Sequence, residues 1–100
     1  MTLELESFTL ALRTPIQTAA GTITEREGYI VRLADDEQGI GEATPLPGWT
    51  ESNTECKAQL SSAKQLYETD GLDTALTQLE DTPAARHGVT LAAADRTARI

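Results

Sequence analysis

One hundred residues make one domain at most, and sixteen acidic side chains against eight basic ones leave no surface to neutralise nucleic-acid phosphates or to hold an anionic membrane. A lone cysteine, Cys56, excludes an internal disulfide, and no basic segment followed by an apolar run opens the chain, so the cytoplasm is the default compartment. With 12 Leu, 5 Ile, 2 Val and 1 Phe the chain sits where a strongly charged sequence struggles to bury a core, so close helix approach or a neighbouring surface is expected to help.

Only Lys57 and Lys64 among the basic residues are lysines, and alanine and threonine fill many positions. That composition is what a high-salt cytoplasm selects, so the expected source is an extreme halophile. Raising KCl towards molar levels should raise the melting temperature by screening like charges. A melting temperature that is flat or falls with salt would contradict this.

Residues 3–13 alternate, but the phase changes: Leu3 and Leu5 share one face, whereas Phe8, Leu10 and Leu12 share the other, which predicts a bulge near Ser7. The pattern breaks at Arg13-Thr14-Pro15. Residues 16–21 have no period and are expected to form a mobile loop. Strand character returns at Ile23 and peaks over residues 29–33, with Tyr29, Val31 and Leu33 facing one way and Arg26 and Arg32 the other. Asp35, Asp36, Glu37, Gln38 and Gly39 read as a polar turn before a short third strand, residues 40–43. Strands that follow one another in this way predict an antiparallel meander.

The loop that follows packs Pro45, Pro47, Gly48 and Trp49 together and is pinned at several points. From Ser52 the period changes to that of a helix. Cys56, Leu60, Ala63 and Tyr67 recur on one stripe with Leu66 at its margin, Thr50 or Ser52 can cap the start, Ser52 with Glu55 making a capping box, and Asp70-Gly71 ends the element. Leu72, Ala75, Leu76 and Leu79 predict a second, shorter helix. Thr82-Pro83 reads as a cap and first-turn proline opening a third, whose Ala85, Val89, Ala92 and Ala93 form a flat face with Gly88 as a weak point. Strands first and helices after predict an α+β fold.

Chemistry is sparse. His87 and Cys56 have no partner at ligand spacing, so no metal site is expected, and His87 reads as a solvated or core-edge residue. Ser7, Ser52, Ser61 and Ser62 lack a nucleophile context, and Gly39-Ile40-Gly41 lacks the third glycine of a dinucleotide loop. No catalytic residue is expected. Glu42, at a strand end, is suited to bracing the loop that follows.

The stretch Gly39-Ile40-Gly41-Glu42-Ala43-Thr44-Pro45-Leu46-Pro47-Gly48-Trp49-Thr50, with Glu55 after it, resembles the Gly-x-Gly-Glu-x-x-Pro-Leu-Pro-Gly-aromatic-Ser/Thr stretch of the o-succinylbenzoate synthases of the enolase superfamily. Arg13-Thr14-Pro15, Arg26-Glu27-Gly28, Pro83-Ala84-Ala85-Arg86 and Ala92-Ala93-Ala94-Asp95 are similar to the same enzymes. Trp49 in place of the commoner phenylalanine and the alanine-rich last helix are departures. The resemblance implies that residues 1–100 are an N-terminal capping domain, cut within the helix that leads into a (β/α)7β barrel. That barrel, as the partner of this domain, would supply the lysines and the three carboxylates that hold Mg2+, and a chain without it would be inactive.

In the intact enzyme the reaction implied is the dehydration that forms 2-succinylbenzoate on the menaquinone route, acting on a small carboxylate substrate. Other members of the branch, the N-acylamino-acid racemases, dipeptide epimerases and cycloisomerases, share the cap, and a stand-alone binding module is the reading outside enzymes. The oligomeric state stays open. Two loops are implied to touch substrate: a lid containing Thr18 and Gly21, and a rigid wall of Leu46, Pro47, Gly48 and Trp49. Trp49 suits either a wall or an anchor in the domain's own core. Gly48→Leu is expected to impair catalysis while leaving the melting temperature nearly unchanged.

Overall fold

The computed structural model describes residues 2–19, 21–34 and 37–99. Asp35 and Asp36 of the expected turn, Ala20 of the expected loop and the chain end at Ile100 lie outside them. Three strands, β1 (Leu3–Thr18), β2 (Gly21–Ala34) and β3 (Gln38–Ala43), form an antiparallel sheet in the order β1-β2-β3. Three helices follow: α1 (Asn53–Asp70), α2 (Leu72–Gln78) and α3 (Pro83–Ala98). The α+β meander expected from the sequence is the observed fold.

Two details of the sheet differ from the sequence reading. The β1–β2 ladder is regular through Ser7, from Leu3↔Leu33 to Ala11↔Glu25, so no bulge lies there. The phase change arises because β1 carries apolar residues on both faces: Leu3 is buried beneath the helices, while Phe8 covers Gly28 on the opposite face. The irregularity comes further on, where pairing resumes at Ile16↔Ile23 and residues 12–15 stand against Thr24 alone. Pro15, which has no N–H for a ladder, falls in that slip. Beyond it residues 16–18 pair out to Thr18↔Gly21, so the expected loop is instead the tip of a paired arm.

The helices cover the face that carries Leu3, Tyr29, Val31, Leu33 and Ala43. Cys56, Leu60, Ala63 and Tyr67 are the buried stripe of α1, as their spacing requires, and full burial of a side chain such as Leu60 is worth about 2 kcal/mol. Ser52 accepts the Glu55 N–H at 3.2 Å, and Gly71, with φ 96°, ends the helix. Lys64 and Glu68 of α1 reach the backbone of Leu3 at 2.7 and 3.3 Å, tying the start of the sheet to the helix layer.

α3 lies on β3 with almost no side chain between them. A Cβ on Gly41 would fall on the Gly88 carbonyl oxygen, one on Gly39 would come within 2.6 Å of Arg96, and one on Gly88 would meet Ala43 at 2.8 Å. Gly88 is therefore a contact the fold requires rather than a weak point. Asp95 closes the outer edge of β3 by accepting the Ile40 N–H at 2.9 Å.

The start of α3 corrects another expectation. Thr82 makes no side-chain cap, and its hydroxyl donates backwards to the Leu79 carbonyl. The buried carboxylate of Glu51 does the capping, accepting the Ala84 and Ala85 N–H groups at 3.0 and 2.8 Å. Pro83 has no N–H, so these two are the donors that most need a partner.

Cys56 lies in the same buried region. Burial, then the charge of Glu51 and a hydrogen bond to it, push its thiol up to about 12 from an ordinary 9.0. The folded state thus favours the neutral thiol, so this contribution to stability is full below pH 9.0 and is lost as pH rises towards 12. A disulfide-exchange reagent at pH about 8 should modify Cys56 only as fast as the domain opens. Rapid stoichiometric labelling of the folded chain would contradict this burial.

Candidate functional site

The β3 ladder ends at Ala43, and beyond Pro45 the chain turns sharply at residues 46–49. The Leu46 carbonyl accepts the N–H groups of Trp49 and Thr50, both at 2.9 Å, while the Thr50 hydroxyl accepts the Leu46 N–H at 2.8 Å. Proline then glycine at the two central positions, with Gly48 at φ 93°, make this a type II turn. Gly48→Leu would force a branched side chain into a left-handed backbone, which costs about 1–2 kcal/mol. The neutrality expected of that substitution therefore fails, because the glycine serves the turn itself.

The turn projects Trp49, which is 74% exposed, so its ring is not an anchor in the domain's own core. Leu46 and Pro47 are half-buried and Gly48 is exposed. At the base of the loop, the Thr44 hydroxyl donates to Glu42 at 2.6 Å and the Thr44 carbonyl accepts Arg26 Nη2 at 2.9 Å. Glu42 braces the loop, as its place at the strand end suggested.

Concavities lie on both sides of this loop. One, of about 290 Å³, runs between the β2 side of the β1–β2 arm and the loop, and includes Ile23, Arg26, Pro45, Pro47 and Asn53 in its walls. The other, of about 450 Å³, lies between the loop and the outer face of α3, where Glu42, Thr44, Thr50, His87 and Leu91 line it. His87 is exposed, as expected.

Thr18 and Gly21 pair at the tip of the arm, where the Thr18 hydroxyl donates to the Gly21 carbonyl at 2.9 Å. The loop residues Leu46, Pro47, Gly48 and Trp49 form one unit, and the β2 side of the arm, residues 22–27, faces that unit across the smaller cleft, whose walls do not include Thr18 or Gly21. Arg26 and Asn53 were not singled out as site residues. Arg26 carried a signal, a cation on the sheet face away from the core, but only the tertiary path of the loop shows what it touches. Among the described residues no group of three His, Cys, Asp or Glu could hold a metal, and no helix is long and apolar enough to cross a membrane.

Comparison with known proteins places this geometry in context. Residues 2–96 match the family model described as MenC, N-terminal domain. No curated protein matches the chain. Among solved structures, the chain is similar to a mandelate racemase/muconate lactonizing protein from Herpetosiphon aurantiacus, with 26% identity, a TM-score of 0.76 and coverage of 97% of this chain and 30% of that one. It is also similar to the o-succinylbenzoate synthase of Thermosynechococcus elongatus BP-1, complexed with Mg in its active site, at 28% identity, TM-score 0.70 and coverage of 94% and 29%. An L-Ala-D/L-Glu epimerase matches at 28% identity and TM-score 0.73, with coverage of 98% and 29%. The chain thus spans less than a third of the length of these solved proteins.

Proposed function

Since the chain belongs to the family of MenC N-terminal domains, we propose that it is the capping domain of an o-succinylbenzoate synthase, a dehydratase of the menaquinone route that forms 2-succinylbenzoate. At the coarser level it is the N-terminal capping domain of an enolase-superfamily protein, with the three-stranded sheet and helices of that fold. The observation that carries the finer reading is the match over residues 2–96, which takes in the arm, the Pro-Gly turn and most of α3.

The described residues do not fit a Mg2+ site; in this reading the metal and the catalytic lysines belong to a barrel domain. The part played by this chain is to cover the barrel mouth over a small carboxylate substrate. Leu46, Pro47, Gly48 and Trp49 form the fixed wall, Thr18 and Gly21 extend the cover from the arm, and the closed site excludes water. The acidic, lysine-poor composition supports a halophilic source.

A second reading has a specific observation behind it: the epimerase matches at the same 28% identity as the synthase. Both are tested on the protein that joins this domain to its barrel, assayed with Mg2+ for dehydration to 2-succinylbenzoate and for epimerisation of L-Ala-L-Glu. Dehydration should dominate. Trp49→Ala should lower kcat/KM about tenfold or more while the melting temperature stays within about 2 °C, since an exposed ring adds little to folding. Epimerisation without dehydration would overturn the synthase reading, and unchanged kinetics in Trp49→Ala would remove the turn from the site.

A further inference from the structure

We propose that Arg26 is the positioning residue of the Trp49 turn. The β2–β3 ladder stops at Tyr29↔Ala43. Continued in register, Thr44, Pro45 and Leu46 would come to lie beside Gly28, Glu27 and Arg26. Pro45 and Pro47 have no N–H to offer, so backbone pairing cannot hold the chain along that line. The Arg26 side chain takes over the task, its Nη2 donating to the Thr44 carbonyl at 2.9 Å. A long side chain thus replaces the missing rung at the residue from which the loop departs.

Three further observations agree. Arg26 Nε is buried and has no partner among the described residues, so the guanidinium is held towards the loop at the cost of one unpaired donor instead of turning to solvent. The cleft of about 290 Å³ between the arm and the loop leaves space into which an untied loop could swing. Among the described residues, the hydrogen bonds of residues 46–49 run between Leu46, Trp49 and Thr50 of the loop itself, so the turn is internally rigid but depends on its base for direction.

The test is made on the 100-residue chain by backbone 15N relaxation and therefore does not depend on which reaction the complete protein performs. Arg26→Met keeps the apolar stem and removes the donor, and Arg26→Lys restores one. In Arg26→Met the order parameters of the Gly48 and Trp49 amides should fall from about 0.85 to below about 0.6. Those of the Leu3–Leu33 to Ser7–Tyr29 ladder should stay near the rigid value. Arg26→Lys should recover at least half of the loss. Unchanged order at Gly48 and Trp49 in Arg26→Met would overturn the proposal, as would an equal loss across sheet and loop, which would mark Arg26 as a general stabiliser. Failure of Arg26→Lys to recover any order would also count against a donor role.

Discussion

Gly41→Ala should destabilise the domain by about 3 kcal/mol or more, near the upper end of overpacking effects, and Gly41→Val should leave little folded protein. The added carbon would fall on the Gly88 carbonyl oxygen and within 2.6 Å of the Ala92 amide nitrogen. Both are backbone atoms of α3, so no side chain can turn aside. Relief requires the whole helix to lift from β3, and that would open the contact among Ala43, Gly88 and Ala92 and lengthen the bond between Ile40 N–H and Asp95. In a domain whose total stability is on the order of 5–10 kcal/mol, such a loss lowers the melting temperature by more than about 10 °C. Gly28→Ala provides the comparison. Its nearest obstacle is the far end of the Phe8 ring at 2.6 Å, which can swing away, and its backbone overlap, with the Ala43 carbonyl oxygen at 2.9 Å, is milder than those at Gly41, so it should cost less than Gly41→Ala. Thermal melts of the two variants decide the matter, and a Gly41→Ala variant as stable as the parent would show that β3 and α3 are not in backbone contact.

Glu51→Ala should be the second most damaging change, at about 3 kcal/mol. It removes the acceptor of two N–H groups at the start of α3 and leaves them buried. It also removes a negative charge from the positive end of the helix dipole, worth up to about 1 kcal/mol. Release of a carboxylate from its desolvated position offsets part of this. Glu51→Gln retains an amide oxygen for one of the two donors and should fall between the parent and Glu51→Ala. The distinguishing measurement is the order of stabilities in denaturant: parent, then Gln, then Ala. A Glu51→Ala variant within about 0.5 kcal/mol of the parent would mean that water takes over the caps without loss.

These two residues mark where reading the sequence stops. Gly41 was visible as part of a glycine-rich strand end, and Glu51 as one acid among sixteen. Neither carries a local sign of its task. The resemblance of the stretch from Gly39 to Thr50 identified the family, but it did not show that Gly39 and Gly41 are there to admit α3. The apolar stripe of α1, its Ser52 cap, its stop at Gly71, the proline that opens α3 and the order of strands before helices were all legible along the chain. Each depends on a period or a terminal residue within a few positions, and such rules act before any tertiary contact exists.

Tertiary structure decided the rest, and in each case the partner is distant in sequence. Residues 16–18 have no period of their own and become a strand only because residues 21–23 return beside them after the slip at residues 12–15. Glu51 became a cap because α3 begins beside it, 33 residues later. Trp49 could have served the core or the surface, and the type II turn at residues 46–49 turned it outward. Side-chain pattern states which face is apolar. What that face meets depends on how elements far apart in the chain settle against one another, and here backbone approach at three glycines, Gly39, Gly41 and Gly88, set that arrangement.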